Sequence, residues 1–473
     1  MEIYHISAEC YPVAKVGGLA DVVGALPKYQ NGLGHNARVV VPKYGTKFNQ
    51  ENEFETIHSG SLKLGMFDFD YEIQIEKANV LGFELFVVSI PALFDRTNVY
   101  SYDDDTERFL GFQIAFLNWV SETNQQLDII NCHDHHTGLI PFMVQFCYDY
   151  SSLKEIPTVL TIHNGQYQGW FNYDKIDYIP EFNKMKIGFL DWNTIINPLA
   201  AAIKCAWKVT TVSPSYLDEI SIEMNGLEQL LRLERPKSIG ILNGIDTEVW
   251  NPKTDSMLHS NYDLSNFKTG KSKNKELLCK EFNLDDSKPL FTFIGRLVDE
   301  KGADLLPEIC NLALLEHQNE INILILGSGN PEVEKNLIEI KNFHQGNYNV
   351  YIGYNEKLAH QVYAGADFLL MPSRVEPCGL NQMYSLRYGT IPIVRRTGGL
   401  KDTVIDIGDG GFGICHEQTS VADVIYSINR AVELYKNSEK KDSIIKTTMQ
   451  LDHSWDKAAQ EYINVYQSLK PEQ

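Results

Sequence analysis

Residues 6–28 read ISAECYPVAKVGGLADVVGALPK. A strand, EIYHIS at 2–7, runs into this stretch, and the Gly17–Gly18 pair opens a helix behind it. Two glycines let backbone approach a ligand closely, and a helix start presents free N–H groups to an anion. Lys15, just ahead of the pair, adds a mobile positive charge. The arrangement predicts a place to hold something negatively charged at the end of a strand.

The same alternation runs outward from there. In the first half, ARVVVP, LDIINCH, TVLTIHN and KVTTVSP read as buried strands. Between them lie amphipathic segments such as DTERFLGFQIAFLNWVSET, where Phe109, Phe112, Phe116, Trp119 and Val120 share one face. Continuous apolar strands separated by helices predict a parallel sheet covered on both sides. The segment at 67–90 differs: it alternates with period two around Gly82, which predicts an antiparallel hairpin insert. After about residue 237 the rhythm restarts with SIGILNG, LFTFIGRL, INILILG, NVYIGY, DFLLMPS and TIPIVRR. The expectation is α/β, with two doubly wound units binding ligands at the carboxyl ends of their strands. The boundaries expected are 1–238 for the first and 239–455 for the second, with an amphipathic helix at 456–473 packing back on the first.

Composition narrows the function. The 473 residues are 43% hydrophobic, enough for sizeable cores, and carry a formal net charge of -20 from 42 Lys+Arg against 62 Asp+Glu. That balance argues against a nucleic-acid or anionic-membrane partner, both of which need a basic face. The eight cysteines are scattered with no C-x-x-C pair, which predicts reduced thiols. The N-terminus has neither a basic leader nor a long apolar stretch, and no apolar run approaches a membrane span, so a cytoplasmic protein is expected.

Charged and polar residues fall at strand ends in both halves. Arg296 follows FIG, and Lys301 stands five residues on, ahead of Gly302. A planar fork of donors and a point charge suit a diphosphate. RRTGGLKDTV repeats the Gly-Gly device, and its amides from Thr397 to Leu400 are candidates to cradle a phosphate or a sugar hydroxyl. Glu376 in SRVEPCGLNQM can accept from two neighbouring hydroxyls, or serve equally as a helix N-cap acid. NCHDHHTG offers His133, Asp134, His135 and His136. Adjacent histidines in a loop do not share a face as i and i+4 histidines do, which argues against a metal. LTIHNGQYQGW ends a strand with His163 and Asn164, then Tyr167 and Trp170, a set suited to carbohydrate.

Taken together, KVGGLADVVGALPK, HNGQYQG, LNGID, GRLVDEKG, SRVEPCGLNQMYSLRYGTIPIVRRTGGLKDTV and SWDKAAQEY resemble the bacterial glycogen synthase and plant starch synthase family, in order and end to end. The resemblance implies a GT-B fold, two Rossmann-like domains facing a deep central cleft. It implies transfer of glucose, with retention, from ADP-glucose to the non-reducing end of an α-1,4-glucan, with release of ADP. No cofactor or metal is implied; the partners are ADP-glucose, ADP and a glycogen or maltooligosaccharide acceptor.

Residue by residue, the resemblance puts Lys15 and Gly18 at the donor diphosphate and Asp21 near the sugars. His163 would contact the glucose 6-hydroxyl, and Asp134 would lie close to the reacting sugar. Asn243 would stand near the glucosyl unit, and Tyr354 against the adenine. Arg296 and Lys301 would neutralise the leaving diphosphate; both are expected in the open cleft, where replacement by Ala should affect folding little. Glu376 would hold sugar hydroxyls within the loop that continues through Cys378 and Gly379, and Thr397, Gly398, Gly399 and Leu400 would complete the site. The donor would draw the two domains together. Three positions depart from related patterns: His135 replaces an aromatic, Phe94 replaces a tyrosine near the donor, and Tyr384 stands where some retaining transferases carry a second glutamate. The alternatives are a related GT-B transferase using UDP-glucose or a small acceptor, and a non-catalytic glucan-binding homologue. A phosphorylase is disfavoured, since no lysine motif for pyridoxal phosphate is evident.

Overall fold

The computed structural model describes residues 1–65, 70–79, 81–318 and 320–470. The chain divides into two compact units, Met1–Asn243 with Trp455–Gln473, and Gly244–Ser454.

In the first unit the strands are β1 (Glu2–Ile6), β2 (Asn36–Pro42), β3 (Glu55–Leu62), β4 (Tyr71–Ala78), β5 (Glu84–Ser89), β6 (Ile129–His133) and β7 (Thr158–Ile162). A two-residue hairpin, β8 (Asp191–Trp192) and β9 (Ile195–Ile196), stands apart; β10 (Lys208–Thr211) and β11 (Ser238–Gly240) complete the main sheet. The order is β11-β10-β7-β6-β1-β2-β5-β4-β3. β1 pairs in parallel with β2 on one side and β6 on the other, so the chain winds away from β1 in both directions. The carboxyl end of β1 is therefore a topological switch point, where such sheets leave a crevice for ligands.

The insert expected at 67–90 is an edge extension of this sheet. β4 runs antiparallel to β3 and β5, while β5 joins β2 in parallel; residues 67–69 and 80 of that stretch lie outside the described residues. The helix Asp105–Glu122 buries Phe109, Phe112, Phe116, Trp119 and Val120, the face its spacing predicts. Each such side chain removed from water contributes about 2–3 kcal/mol. Phe94 also lies in this core, fully buried against Tyr44 and Phe109 with the Arg108 guanidinium 5.0 Å from its ring. The position expected to cost a hydroxyl beside the donor is thus a packing position.

The helix Trp455–Gln467 packs on the helix Gly18–Gly32, burying Trp455, Tyr462 and Tyr466 with Ile3, Val22 and Ala37. Residues 471–473 of the expected 456–473 segment lie outside the described residues. β11 pairs in parallel with β10, so this unit continues to Asn243, past the boundary expected at 238/239.

The second unit contains β12 (Leu290–Leu297), β13 (Asn322–Gly329), β14 (Tyr348–Ile352), β15 (Phe368–Met371), β16 (Ile391–Arg395) and β17 (Ile414–His416). All are parallel, in the order β14-β13-β12-β15-β16-β17. In chain order this is 3-2-1-4-5-6, the dinucleotide-fold arrangement, with its switch point between β12 and β15. All eight cysteines are buried and free. Among the described residues no helix is long and apolar enough to cross a membrane.

Candidate active site

In the first unit the site residues follow β1, β6, β7 and β11. The loop after β1 is built around Glu9, a buried residue the sequence reading passed over. Its Oε2 accepts from the amides of Val16 (2.5 Å) and Gly17 (3.0 Å), and its Oε1 accepts from the Tyr100 hydroxyl (2.6 Å). The amides of Val16 and Gly17 are thus committed to a carboxylate of the chain itself. Lys15 remains part-exposed beside the loop, its Nζ 2.6 Å from Asp21 Oδ1 and 5.3 Å from the Tyr11 ring centroid. A Cβ built on Gly17 or Gly18 would meet nothing within 4 Å, so the backbone here borders open space.

Asp134 follows β6 with φ 56° and ψ −173°, a conformation that is almost glycine's alone. Holding aspartate there costs on the order of 1–3 kcal/mol, so the surroundings must enforce it. They do: Asp134 N donates to Thr161 O, and Oδ1 accepts from His163 N at 2.7 Å and Asn164 N at 3.3 Å. Burial, with a smaller push from nearby Glu9, raises the carboxyl to about 7 even against those two amides. His163 Nε2 lies 2.9 Å from His133 Nδ1, deeper in the unit. Burial lowers the His163 imidazole to about 3, so the ring is neutral.

The side chains of HDHH diverge. His133 faces His163, Asp134 takes amides, and His135 lies tilted against His136, with 3.7 Å between ring centroids and 35° between planes. Burial holds His135 at about 4. Tyr167 and Trp170 are exposed nearby in sequence, and Asn243, at the end of the unit, has a buried Oδ1 with no hydrogen-bond partner among the described residues.

In the second unit the residues gather at the switch point. Arg296, on β12, is 53% exposed, with Glu300 Oε2 3.7 Å from its Nη2. Lys301 Nζ lies 2.6 Å from Glu376 Oε1, joining the loops after β12 and β15. The second carboxylate oxygen of Glu376 accepts from Ser373 Oγ at 3.0 Å. The Glu376 side chain is only 7% exposed and that of Lys301 25%, so Lys301 is half of a desolvated pair and not an open cation. Lys301 thus sits in a partly buried pair where an open position was expected. Tyr354, two residues beyond β14, is 75% exposed. Tyr384 stacks on Trp250 at 3.8 Å, and Trp250 stacks on His360 at 3.8 Å, so this position builds a ring column.

The Gly398–Gly399 pair behaves unlike its counterpart at 17–18. A Cβ on Gly398 would lie 2.0 Å from Glu376 O, and one on Gly399 would lie 2.2 Å from Cys378 O. Gly399 N donates to Glu376 O, Leu400 N to Thr397 O, and Thr397 N to Arg395 O. Of the amides from Thr397 to Leu400 expected to cradle a phosphate or a sugar hydroxyl, those of Thr397, Gly399 and Leu400 thus donate to backbone carbonyls. These glycines let the strand-end loop press against Glu376–Cys378 and so aim the Glu376 carboxylate; Cys378 is buried and Gly379 turns with φ 74°.

The starch synthase catalytic domain family matches residues 2–233, and the glycosyl transferases group 1 family matches 274–449. The chain is 63% identical over 466 residues to a glycogen synthase of Flavobacterium johnsoniae, covering 98% of each chain. It is 37% identical over 480 residues to a glycogen synthase of Anoxybacillus flavithermus, covering 99% of this chain and 98% of that one. Among solved structures it is similar to the catalytic domain of starch synthase IV from Arabidopsis thaliana bound to ADP and acarbose, with a TM-score of 0.87, 31% identity and 99% coverage of both chains.

Proposed function

The chain belongs to the glycogen synthase and starch synthase family of GT-B glycosyltransferases, and we propose that it transfers glucose from ADP-glucose to the non-reducing end of an α-1,4-glucan, with retention and release of ADP. The observation that carries this reading is the Arg296–Lys301–Glu376 cluster at the switch point of the second sheet. A relative that matches the whole chain holds ADP and acarbose, a nucleotide diphosphate and an oligosaccharide analogue, which supports the same ligand classes here.

As the anomeric bond breaks, negative charge grows on the departing diphosphate. Arg296 and Lys301 stabilise that charge more in the transition state than before it. Glu376, with Lys301 and Ser373 on its oxygens, keeps lone pairs for sugar hydroxyls. At the transferred glucose, Asn243 Oδ1, which has no hydrogen-bond partner among the described residues, is ready to accept from a hydroxyl, and the neutral His163 ring meets the 6-hydroxyl. Asp134 stands close to the reacting sugar, and Tyr354 offers its exposed ring to the adenine. The acceptor hydroxyl attacks from the face the leaving group vacates, and the cationic side chains make a resident metal or cofactor unnecessary. Dialysis against a chelator should therefore leave the rate unchanged. Eight buried free thiols support a cytoplasmic setting.

Radiolabelled transfer to glycogen, run in parallel with ADP-glucose and UDP-glucose, tests the proposal. Label should enter the glucan from ADP-glucose preferentially. Equal or better transfer from UDP-glucose would replace the donor, and glucan binding without transfer from either would leave a binding homologue.

A further inference from the structure

Three histidines distant in sequence form one buried file through the first unit. His163 Nε2 lies 2.9 Å from His133 Nδ1, and His133 Nε2 lies 3.0 Å from His5 Nδ1. His5 Nε2 lies 2.8 Å from Gln30 Oε1, on the helix that the Gly17–Gly18 loop opens. His5, His133 and Gln30 are fully buried, and His163 nearly so. Only the outermost ring belongs to the site, and Nδ1 of His163 is the one ring nitrogen the file does not use.

Burial lowers all three rings, His5 to about 4, His163 to about 3 and His133 in the same direction, so each is neutral at neutral pH. A neutral imidazole has one N–H and one lone pair. Each contact between rings needs a hydrogen from one side and a lone pair from the other. The three rings must therefore point head to tail, and only two arrangements exist. With the Gln30 carbonyl accepting from His5 Nε2–H, His5 Nδ1 must accept from His133 Nε2–H, and His133 Nδ1 must accept from His163 Nε2–H. His163 Nδ1 is then a bare acceptor. The opposite order requires Gln30 to turn its NH₂ toward His5, and it would make His163 Nδ1 a donor. Asn131 Nδ2 lies 3.1 Å from His133 Nε2, and its Oδ1 lies 2.9 Å from the Tyr466 hydroxyl. The first order therefore needs a half-turn of this amide, which gives its oxygen to His133 Nε2–H and its NH₂ to the Tyr466 oxygen, while the opposite order needs the half-turn at Gln30.

We infer that His5 and His133 are positioning residues for the transfer reaction: together with Gln30 they hold His163 in the Nε2-protonated tautomer, so that its Nδ1 accepts a hydrogen bond from a hydroxyl of the donor sugar. The inference rests on the glucosyltransferase reading for the sugar, but the tautomer is a property of the ligand-free chain. A ring whose tautomer is fixed loses nothing to reorganisation when the sugar arrives; the outer partners that orient metal-ligating histidines are worth about tenfold or more in activity, and the same order is expected here.

Ring-15N histidine labelling of the full chain, with the His163 signal identified by its loss in His163→Ala, reads the tautomer directly. The wild type should show His163 protonated at Nε2 alone. His5→Leu and the milder Gln30→Met, which only removes the terminal acceptor, should give mixed tautomers and a kcat lower by about tenfold. The KM for glucan should be unchanged. His5→Gln, which keeps a donor and an acceptor, should restore both readouts. A wild-type His163 protonated at Nδ1 would overturn the assignment. So would a His163 that stays Nε2-protonated with full kcat in both His5→Leu and Gln30→Met. Wild-type chain that transfers no glucose would instead sink the functional reading while the 15N spectrum still decided the tautomer.

Discussion

Lys301→Met removes a charge and keeps most of the side-chain volume. In the structure it strips Glu376 Oε1 of its partner at 2.6 Å and leaves a carboxylate that is 7% exposed with Ser373 Oγ on its other oxygen. Breaking a buried ion pair from one side costs about 3–5 kcal/mol, because the remaining charge is desolvated and uncompensated. Lys301 is a quarter exposed, which lets water reach the gap, so the lower end, about 3 kcal/mol, is expected. For a unit of about 200 residues that corresponds to a melting temperature lower by roughly 6–12 °C. Lys301→Met/Glu376→Gln removes both charges and should recover most of that loss, since a pair replaced by neutral groups is near break-even. Turnover should not recover: both variants lack a preorganised charge on the leaving group and should fall by about 10²–10³-fold. Calorimetry and the transfer assay on the same preparations separate the two effects. A single variant that melts within about 1 °C of wild type would refute the desolvated-pair argument, and a double variant with restored turnover would refute the role of Lys301 in departure.

Arg296→Ala should behave differently, because Arg296 is half exposed and its nearest carboxylate lies 3.7 Å away. Its melting temperature should stay within about 1 °C while turnover falls by about 10²–10³-fold; a large stability loss would mean Arg296 is part of the fold. Asp134→Asn tests the raised carboxyl. Because burial lifts its folded value to about 7, Asp134 favours folding most in acid and loses that contribution as pH rises through about 7. Between about pH 5.5 and 8 the wild type should lose about 2 kcal/mol relative to Asp134→Asn, which does not ionise. Parallel melting curves would contradict the shift.

Local pattern in the sequence determined the two sheets with their parallel cores, the helix faces and the placing of cations and carboxylates at strand ends. Strand–glycine–helix units and buried helix stripes are set by neighbours within a few residues, and these are visible in one dimension. Motif order along the chain was likewise enough to recognise the family. Tertiary structure alone decided what the same letters do. Gly17–Gly18 borders open space, whereas Gly398–Gly399 is pressed on Glu376 and Cys378, and nothing in either pair distinguishes them. Glu9 reads as a surface acid until the loop folds over it, and Phe94 as a site residue until it is found in the core. Lys301 meets Glu376 across 75 positions, and His5 meets His133 across 128. Such pairs form only when strands settle into register, so the desolvation that fixes their charge and tautomer belongs to the folded sheet and not to any segment of the chain.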